Sequence, residues 1–336
     1  MSQPPMPSPE LVFDTIWAYQ RSAALKAAID LNLFTVIEQG AATAATAADR
    51  CGASERGIRI LCDYLTTIGL LAKADGRYQL PPNTAMFLSQ QSPAYLGSIA
   101  NFLMMPGLKG NFDKLTETVR SGHVAESGNT VAPENEIWVE FARAMVPMMM
   151  PAAVGIADIL GIGSAGPTRV LDIAAGHGMF GITLAQRNPQ VEVTAVDWQA
   201  VLAVAQEHAR AAGVDGRLHT SPGDAFKVDF GTGFDIALVT NFLHHFDHAT
   251  CTAFLKKVRA ALKPGGRVVV LEMVPNADRV TPPLAAGFSL TMLAGTPAGD
   301  AYTLDELRDQ LEGAGFGGVT AHSLPTPETV IVAKAE

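Results

Sequence analysis

The stretch Val170-Leu-Asp-Ile-Ala-Ala-Gly-His-Gly-Met-Phe-Gly181 decides the fold of this chain of 336 residues. An apolar strand in it ends at an acid, Asp172, and Gly176 and Gly178 then open a helical segment over 182–187. Glycine lets the backbone approach a ligand closely, and the free N–H groups of a helix N-terminus favour polar ligands. The stretch therefore predicts a ligand site at the end of a buried strand.

Two ligands compete for this turn. Gly176-His-Gly178-Met-Phe-Gly181 matches G-x-G-x-x-G, which is typical of nicotinamide dinucleotide sites. Asp172, four residues before the first glycine, would repel a pyrophosphate, but it suits a ligand with cationic groups and hydroxyls. S-adenosylmethionine is such a ligand, since it carries a sulfonium, an ammonium and a ribose. The residues favour S-adenosylmethionine, with a dinucleotide or an unliganded glycine turn as alternatives.

The composition limits the possible partners. Apolar residues make up 48% of the chain and charged residues 17%, so a large core is available. The net charge of −9 disfavours nucleic acid and anionic membrane as partners. The three cysteines are scattered, as in a cytosolic protein with reduced thiols. The sequence has no signal-peptide pattern and no run of 18 apolar residues. We therefore expect a cytoplasmic protein.

Residues 1–100 are predicted to form a winged-helix domain. The pattern is helix, turn, helix and hairpin, with the elements over 10–39, 43–51, 55–68 and 73–80. Asp75-Gly76 is the expected tip of the hairpin. A winged helix can bind DNA, but its second helix here carries only two arginines in an acidic chain. We therefore expect a structural or dimerising role.

Residues 101–165 are predicted to be a helical connector that also contributes to a substrate pocket. Met145 and Met149 belong to a methionine cluster in this segment. Methionine is flexible and suits an adaptable pocket, so both are candidate pocket residues. Ordinary core packing explains the cluster equally well.

Residues 166–336 are predicted to form an α/β domain with a Rossmann-like, mostly parallel sheet. Strands alternate with helices, the strands lying at 169–174, 191–196, 217–221, 234–240 and 266–273. The last two strands, 319–324 and 328–334, have only Pro325-Thr-Pro327 between them. So short a connection predicts an antiparallel hairpin at the C-terminus.

Candidate site residues lie at or just past the end of each of the first five strands. In strand order they are Asp172, Gly176 and Gly178; Asp197 and Trp198; Gly223, Asp224, Ala225 and Phe226; Asn241, His244 and His245; and Glu272. The carboxyl ends of parallel strands face one crevice, so these residues predict a single site. Asp197 suits ribose hydroxyls, and Asp224 beside Phe226 suits the amine and the face of an adenine.

Four stretches resemble, in order, the motifs of class I S-adenosylmethionine-dependent methyltransferases: Leu171-Asp-Ile-Ala-Ala-Gly-His-Gly178, Val196-Asp197, Gly223-Asp-Ala-Phe226 and Leu262-Lys-Pro-Gly-Gly266. Asn241-Phe-Leu-His-His-Phe-Asp247 and Val268-Val-Val-Leu-Glu-Met-Val-Pro275 extend the resemblance to the plant-type small-molecule O-methyltransferases and their bacterial relatives. The resemblance implies S-adenosylmethionine as cofactor, a small and partly apolar hydroxyl acceptor, and a homodimer formed through the winged-helix domain.

The resemblance also implies catalytic roles. It makes His244 the general base for the acceptor hydroxyl and Glu272 the residue that orients His244. A phenol has a pKa of about 10, so a base is useful near pH 7. A carboxylate on the other imidazole nitrogen selects the tautomer and raises basicity.

The chain departs from the family pattern at three places. His245 stands where aspartate is frequent, Ala301-Tyr302-Thr303 replaces Glu-Arg-Thr, and Thr240 replaces a lysine. These departures leave carbon or nitrogen methylation open, including metal assistance through His244 and His245, although we assign no metal ligand. A non-catalytic S-adenosylmethionine-binding regulator is a further alternative.

Overall fold

The computed structural model describes residues 7–336, which divide into two compact units. The first unit extends to Met104, and the second runs from Met105 to Glu336. The helical segment predicted as a connector thus lies almost entirely in the second unit. In the described residues no single helix is long and apolar enough to cross a membrane. One bent pair of helices in the second unit passes that test on length and composition alone.

The first unit has the helix-turn-helix and hairpin order that the sequence predicts. Its elements are α1 (Glu10–Asp30), α2 (Leu33–Glu38), α3 (Ala44–Cys51), α4 (Glu55–Thr67), β1 (Ala72–Ala74), β2 (Arg77–Gln79), α5 (Pro82–Leu88) and α6 (Gly97–Leu103). Side-chain oxygens of Thr43 and Ser54 cap α3 and α4. The antiparallel hairpin turns at Asp75 and Gly76, both with positive φ, as the Asp-Gly pair predicts.

The single helix predicted over 10–39 is wrong. The helix is interrupted at Asn32, which adopts the left-handed conformation with a φ of 52°. Asparagine tolerates this conformation better than most residues, and the apolar spacing continues across the break, so periodicity alone misses it. The break lets α2 bury Leu33, Phe34 and Ile37 in the core of the unit.

The second unit is an α/β domain. Its elements are α7 (Pro106–Asp113), α8 (Leu115–Ser121), α9 (Ile137–Ala144), α10 (Val146–Ile159), β3 (Thr168–Ile173), α11 (Met179–Arg187), β4 (Val191–Asp197), α12 (Gln199–Ala211), β5 (Leu218–Pro222), β6 (Phe234–Thr240), α13 (His248–Ala261), β7 (Leu262–Glu272), α14 (Pro283–Gly295), α15 (Leu304–Gly313), β8 (Phe316–Ser323) and β9 (Thr329–Ala335). The strand order is β5-β4-β3-β6-β7-β9-β8.

The sheet confirms the predicted fold class. Strands β3 to β7 pair in parallel, while β9 pairs antiparallel with both β7 and β8. On one face, α13 and α15 bury Phe254, Leu255 and Leu307 against the apolar side chains of β6 and β9. On part of the opposite face, α11 and α12 pack against β3 and β4.

The strand register brings the predicted polar residues to one edge. Ile173 pairs with Val196 on one side and with Val239 on the other, and Thr240 pairs with Leu271. The residues that follow these positions therefore leave the sheet at the same level. Glu272, the last residue of β7, lies at this edge opposite Thr329.

Candidate active site

The glycine turn after β3 has the tight backbone that its sequence predicts. Ala174, Gly176 and Gly178 all have positive φ, at 52°, 55° and 73°. Gly178 immediately precedes α11. A Cβ added at Gly178 would lie only 2.8 Å from the Cβ of Ala205 on α12. Close packing of α11 against α12 thus requires glycine at this position.

Asp172 is fully buried below this turn. Its Oδ2 accepts a hydrogen bond from the Gly181 N–H at 3.1 Å, whereas Oδ1 has no hydrogen-bond partner among residues 7–336. Burial raises the pKa of Asp172 to about 8, and the charge of Asp197 adds to this. A buried carboxyl oxygen without a partner fits a cofactor that brings a cation or a hydrogen-bond donor to this turn.

Asp197 is the last residue of β4 and stabilises the glycine turn through a hydrogen bond. Its Oδ2 accepts from the Gly176 N–H at 2.8 Å, and its Oδ1 accepts from the Trp198 N–H at 2.7 Å. Burial raises the pKa of Asp197 to about 6. Each carboxylate oxygen has a second lone pair for a ribose hydroxyl. The Trp198 side chain packs against a small cluster around Ala142, on α9.

The predicted adenine side of the site lies after β5. Gly223 has a φ of 142°, which suits glycine, and Asp224 accepts from the Phe226 N–H at 2.9 Å. Asp224 also forms an ion pair with the exposed Lys227 at 3.0 Å. Phe226 remains 37% exposed, which leaves part of its ring free for a ligand.

Lys257 fixes this loop, and no sequence signal marks it. Its ammonium group donates to the carbonyl oxygens of Ala225 and Val228 at 2.9 and 2.6 Å. It also lies 4.3 Å from the centre of the Phe230 ring. Because the two carbonyls belong to the segment of Asp224 and Phe226, this lysine positions the predicted adenine residues.

His244 and Glu272 form a buried pair. Their strand ends predict a shared edge of the sheet, and the family resemblance implies the pairing. The Nδ1 of His244 is hydrogen-bonded to Glu272 Oε2, and the Oε1 of Glu272 accepts from the N–H groups of Phe242 and Leu243 at 3.1 and 2.8 Å. Glu272 therefore holds both the imidazole and the backbone turn that carries it. With Nδ1 engaged by a carboxylate, Nε2 is the nitrogen that can accept a proton.

Hydrogen bonds from Cys251 and Tyr302 also stabilise the turn that carries His244. Asn241 has a φ of 53°, and the next residues form a single 3₁₀ turn over Leu243–His245. Cys251 Sγ donates to the Leu243 carbonyl at 3.1 Å, and the Tyr302 hydroxyl donates to the carbonyl of Phe246. Tyr302 precedes α15, so a neutral side chain from the segment before that helix supports the turn.

His245 lies directly beside His244. The two ring centroids are 4.2 Å apart, and His245 Nδ1 is 3.2 Å from the carbonyl oxygen of Phe242. Burial lowers the pKa of His245 well below its usual value, and the neighbouring His244 lowers it further. Trp138 makes an edge contact with His245, and Phe288 makes one with His244. Neither aromatic residue is recognisable as a site residue from the sequence.

The two candidate methionines are both buried. Met149 Sδ lies 3.5 Å from Asn241 Nδ2, which links α10 to the turn of His244. Met145, which lies between α9 and α10, is 5% exposed. In residues 7–336 no group of three or more His, Cys, Asp or Glu side chains is arranged to hold a metal ion. The two adjacent histidines thus lack a third ligand of these types.

Comparisons with known proteins identify the family. Residues 13–90 match the O-methyltransferase dimerisation domain, and residues 154–317 match the O-methyltransferase domain. The chain is 30% identical over 325 residues to the 3-hydroxy-5-methyl-1-naphthoate 3-O-methyltransferase of Streptomyces sahachiroi, which covers 95% of this chain and 92% of that protein. It is also 27% identical over 329 residues to the L-tyrosine C(3)-methyltransferase of Streptomyces lavendulae, covering 92% of this chain and 88% of that enzyme.

A solved structure supports the same assignment. A candidate O-methyltransferase of Nostoc punctiforme PCC 73102 superposes with a TM-score of 0.94 at 49% identity, covering 98% of this chain and all of that one. The chain therefore belongs to the O-methyltransferase family, whose methyl donor is S-adenosylmethionine. This assignment decides against the nicotinamide dinucleotide alternative for the glycine turn.

Proposed function

We propose that this enzyme methylates a hydroxyl group of a small, partly apolar molecule, with His244 as general base and Glu272 as the residue that orients it. The buried hydrogen bond between His244 Nδ1 and Glu272 is the observation that carries the proposal. It leaves His244 Nε2 as the proton-accepting atom, at the edge of the sheet where the cofactor residues also lie.

Methyl transfer requires only the acceptor, the cofactor and the pair of His244 and Glu272. S-adenosylmethionine, when bound, supplies a methyl group on a positively charged sulfur. His244 Nε2 takes the proton of the acceptor hydroxyl as the oxygen forms its bond to the methyl carbon. The electron pair of the breaking carbon–sulfur bond stays on sulfur. Glu272 stabilises the protonated imidazole, because its carboxylate accepts the Nδ1 hydrogen.

The residues that we assign to the cofactor lie at the carboxyl ends of the parallel strands. We assign Gly176 and Gly178 to close backbone approach, and Asp197 to the ribose hydroxyls. Asp172 Oδ1 is the oxygen that lacks a partner and so can face the cationic end of the cofactor. The remaining proposed cofactor contacts are those of Trp198, Gly223, Asp224, Ala225, Phe226 and Asn241.

The acceptor pocket is proposed to lie beside the two histidines. Met149 reaches this region through its contact with Asn241, and Trp138 and Phe288 border the histidine rings. Apolar and aromatic neighbours suit a partly apolar acceptor. We assign Met145 to the pocket as well, because it immediately precedes the helix of Met149 and is buried like it. The S. sahachiroi relative is named for methylating a naphthoate hydroxyl, which agrees with such an acceptor.

The decisive experiment removes the base without disturbing the cofactor site. His244→Ala should lower the turnover of a hydroxyl acceptor by about 10²- to 10⁴-fold, as expected for loss of general base catalysis. Its affinity for S-adenosylhomocysteine, measured by calorimetry, should stay close to that of the wild type. The exposed His219, which pairs with Glu192 on the surface, provides the matched control His219→Ala. Near wild-type turnover in His244→Ala would refute the assignment of the base.

We also propose that the enzyme works as a homodimer formed through its first unit. The match to the dimerisation domain supports this, and so do the exposed apolar side chains of α1. Phe13 and Trp17 stack with ring centroids 5.4 Å apart, yet both are about half exposed in the single chain. Such a surface is typical of a protein interface.

A further inference from the structure

The hydrogen-bonding state of His245 follows from its surroundings. Its Nδ1 lies 3.2 Å from the carbonyl oxygen of Phe242, and a carbonyl oxygen only accepts. Nδ1 therefore carries the hydrogen, and Nε2 carries a lone pair. The neighbouring His244 has the same arrangement, because its Nδ1 faces the carboxylate of Glu272. Two imidazoles side by side thus each direct an accepting Nε2 away from the backbone turn.

Within the described residues both Nε2 atoms lack a protein partner, so each can accept a hydrogen bond from a ligand that reaches the histidine pair. Neither has a hydrogen-bond partner in the part of the chain from residue 7 to 336, and neither is sealed inside the protein. The residues retain 5% exposure at His244 and 8% at His245. Burial and the nearby His244 keep His245 neutral at neutral pH. His245 therefore remains an acceptor under working conditions and does not become a donor.

Two aromatic side chains border the histidine pair. The ring of Trp138, on α9, meets His245 at 72° with centroids 5.2 Å apart. The ring of Phe288, on α14, meets His244 at 90° with centroids 4.9 Å apart. Rings on two different helices provide an apolar boundary that suits a flat aromatic molecule.

We propose that the acceptor is an arene with two neighbouring hydrogen-bond donors, an inference that rests on the proposed function. The hydroxyl to be methylated binds His244 Nε2, and an adjacent hydroxyl or amino group donates to His245 Nε2. The two imidazole ring centroids lie only 4.2 Å apart, and a single hydroxyl can donate to only one of the two acceptors, whereas donors on neighbouring ring carbons can serve both. A monophenol would leave the His245 lone pair without a donor, which costs affinity. His245 is thus a specificity-determining residue.

Matched probes test this assignment. We would compare 2,3-dihydroxynaphthalene with 2-naphthol, using the full-length enzyme. The wild type should favour the diol in kcat/KM by about 5- to 100-fold, the cost of leaving a buried acceptor without a partner. In His245→Phe the ratio should fall towards one. In His245→Gln it should be partly restored, because the amide oxygen can accept. His219→Phe is the surface control.

If neither probe is methylated, the affinities of the two probes for the enzyme still test the inference. The same preference should be found in the dissociation constants of the two probes for the enzyme–S-adenosylhomocysteine complex. Equal affinity and equal kcat/KM for the two probes in the wild type would overturn the inference, and so would a diol that does not bind. An unchanged ratio in His245→Phe would also overturn it. Failure of the proposed function would instead appear as retained turnover in His244→Ala, whatever the ratio of the two probes.

Discussion

Gly299 lies against the peptide that joins His244 to His245. A Cβ added at Gly299 would overlap the main-chain carbonyl oxygen of His244 and would lie 3.0 Å from the carbonyl carbon of His245. The segment is tied to the end of α14, because the Gly299 N–H donates to Thr296 Oγ1 at 2.9 Å and that hydroxyl donates to the Met292 carbonyl at 2.7 Å. The segment after α14 thus limits where the turn that carries His244 can lie.

Gly299→Ala is therefore expected to damage activity more than folding. The obstructing atoms belong to the backbone, so the turn of His244 must shift as a whole. Misplacement of a catalytic group by about 1 Å costs up to ~10²-fold in rate, and we expect kcat to fall by about 10- to 100-fold. Gly107→Ala, on α7 where a Cβ meets nothing within 4 Å, serves as the control. Wild-type kcat in Gly299→Ala would show that the turn tolerates the methyl group.

Glu272→Gln should separate the two tasks of this carboxylate. The amide oxygen can still accept from the N–H groups of Phe242 and Leu243, so the backbone turn should persist. The amide nitrogen, facing His244, would donate and so favour the tautomer with its hydrogen on Nε2. That tautomer cannot act as a base. We expect kcat to fall by about 10²- to 10⁴-fold, with near-unchanged S-adenosylhomocysteine affinity by calorimetry. An equal loss of cofactor affinity would indicate that the turn itself collapses.

The closeness of His244 and Glu272 was predictable from the strand ends, because Glu272 ends β7 and His244 follows the neighbouring strand β6, whereas their roles as base and orienting acid came from the family resemblance. The alternation of strands and helices places such strand ends at one edge, and the register then brings the side chains together. Trp138, Phe288 and Gly299 could not be predicted in this way. They come from helices or from the segment after a helix, and the spacing of apolar residues in a helix says which face is buried but not which strand end it covers. The contact of Tyr302 with the carbonyl of Phe246, just after His244 and His245, is likewise visible only in three dimensions.

The exposed face of α1 should control assembly. Phe13→Glu combined with Trp17→Glu places charge on an apolar surface, and burying an unpaired charge in an interface is costly. We expect the wild type to behave as a dimer in light scattering at micromolar concentration and the double variant to approach the 35.4 kDa of one chain. Lys256→Glu, on α13, changes the net charge by the same amount and should leave the dimer intact. A monomeric wild type would refute the homodimer.

Asp172 should make the cofactor-free enzyme less stable as the pH rises. Its folded pKa, raised by burial to about 8, exceeds the value of about 3.9 in an unfolded chain. The folded state thus holds a proton that the unfolded state has lost, and stability falls with pH until about pH 8.

Between about pH 6.5 and 8, a comparison with Asp172→Asn isolates this effect. Asp197, with a pKa of about 6, is ionised there. Burial keeps His177 and His245 neutral in the folded enzyme, and both titrate near pH 6.5 once unfolded, a contribution that the two proteins share. The free energy of unfolding should fall by up to about 1.4 kcal/mol per pH unit from Asp172 alone. Asp172→Asn can still accept from the Gly181 N–H and should show a flatter pH dependence in urea unfolding. Parallel curves for the two proteins would mean that Asp172 is already ionised in the folded enzyme at pH 6.5.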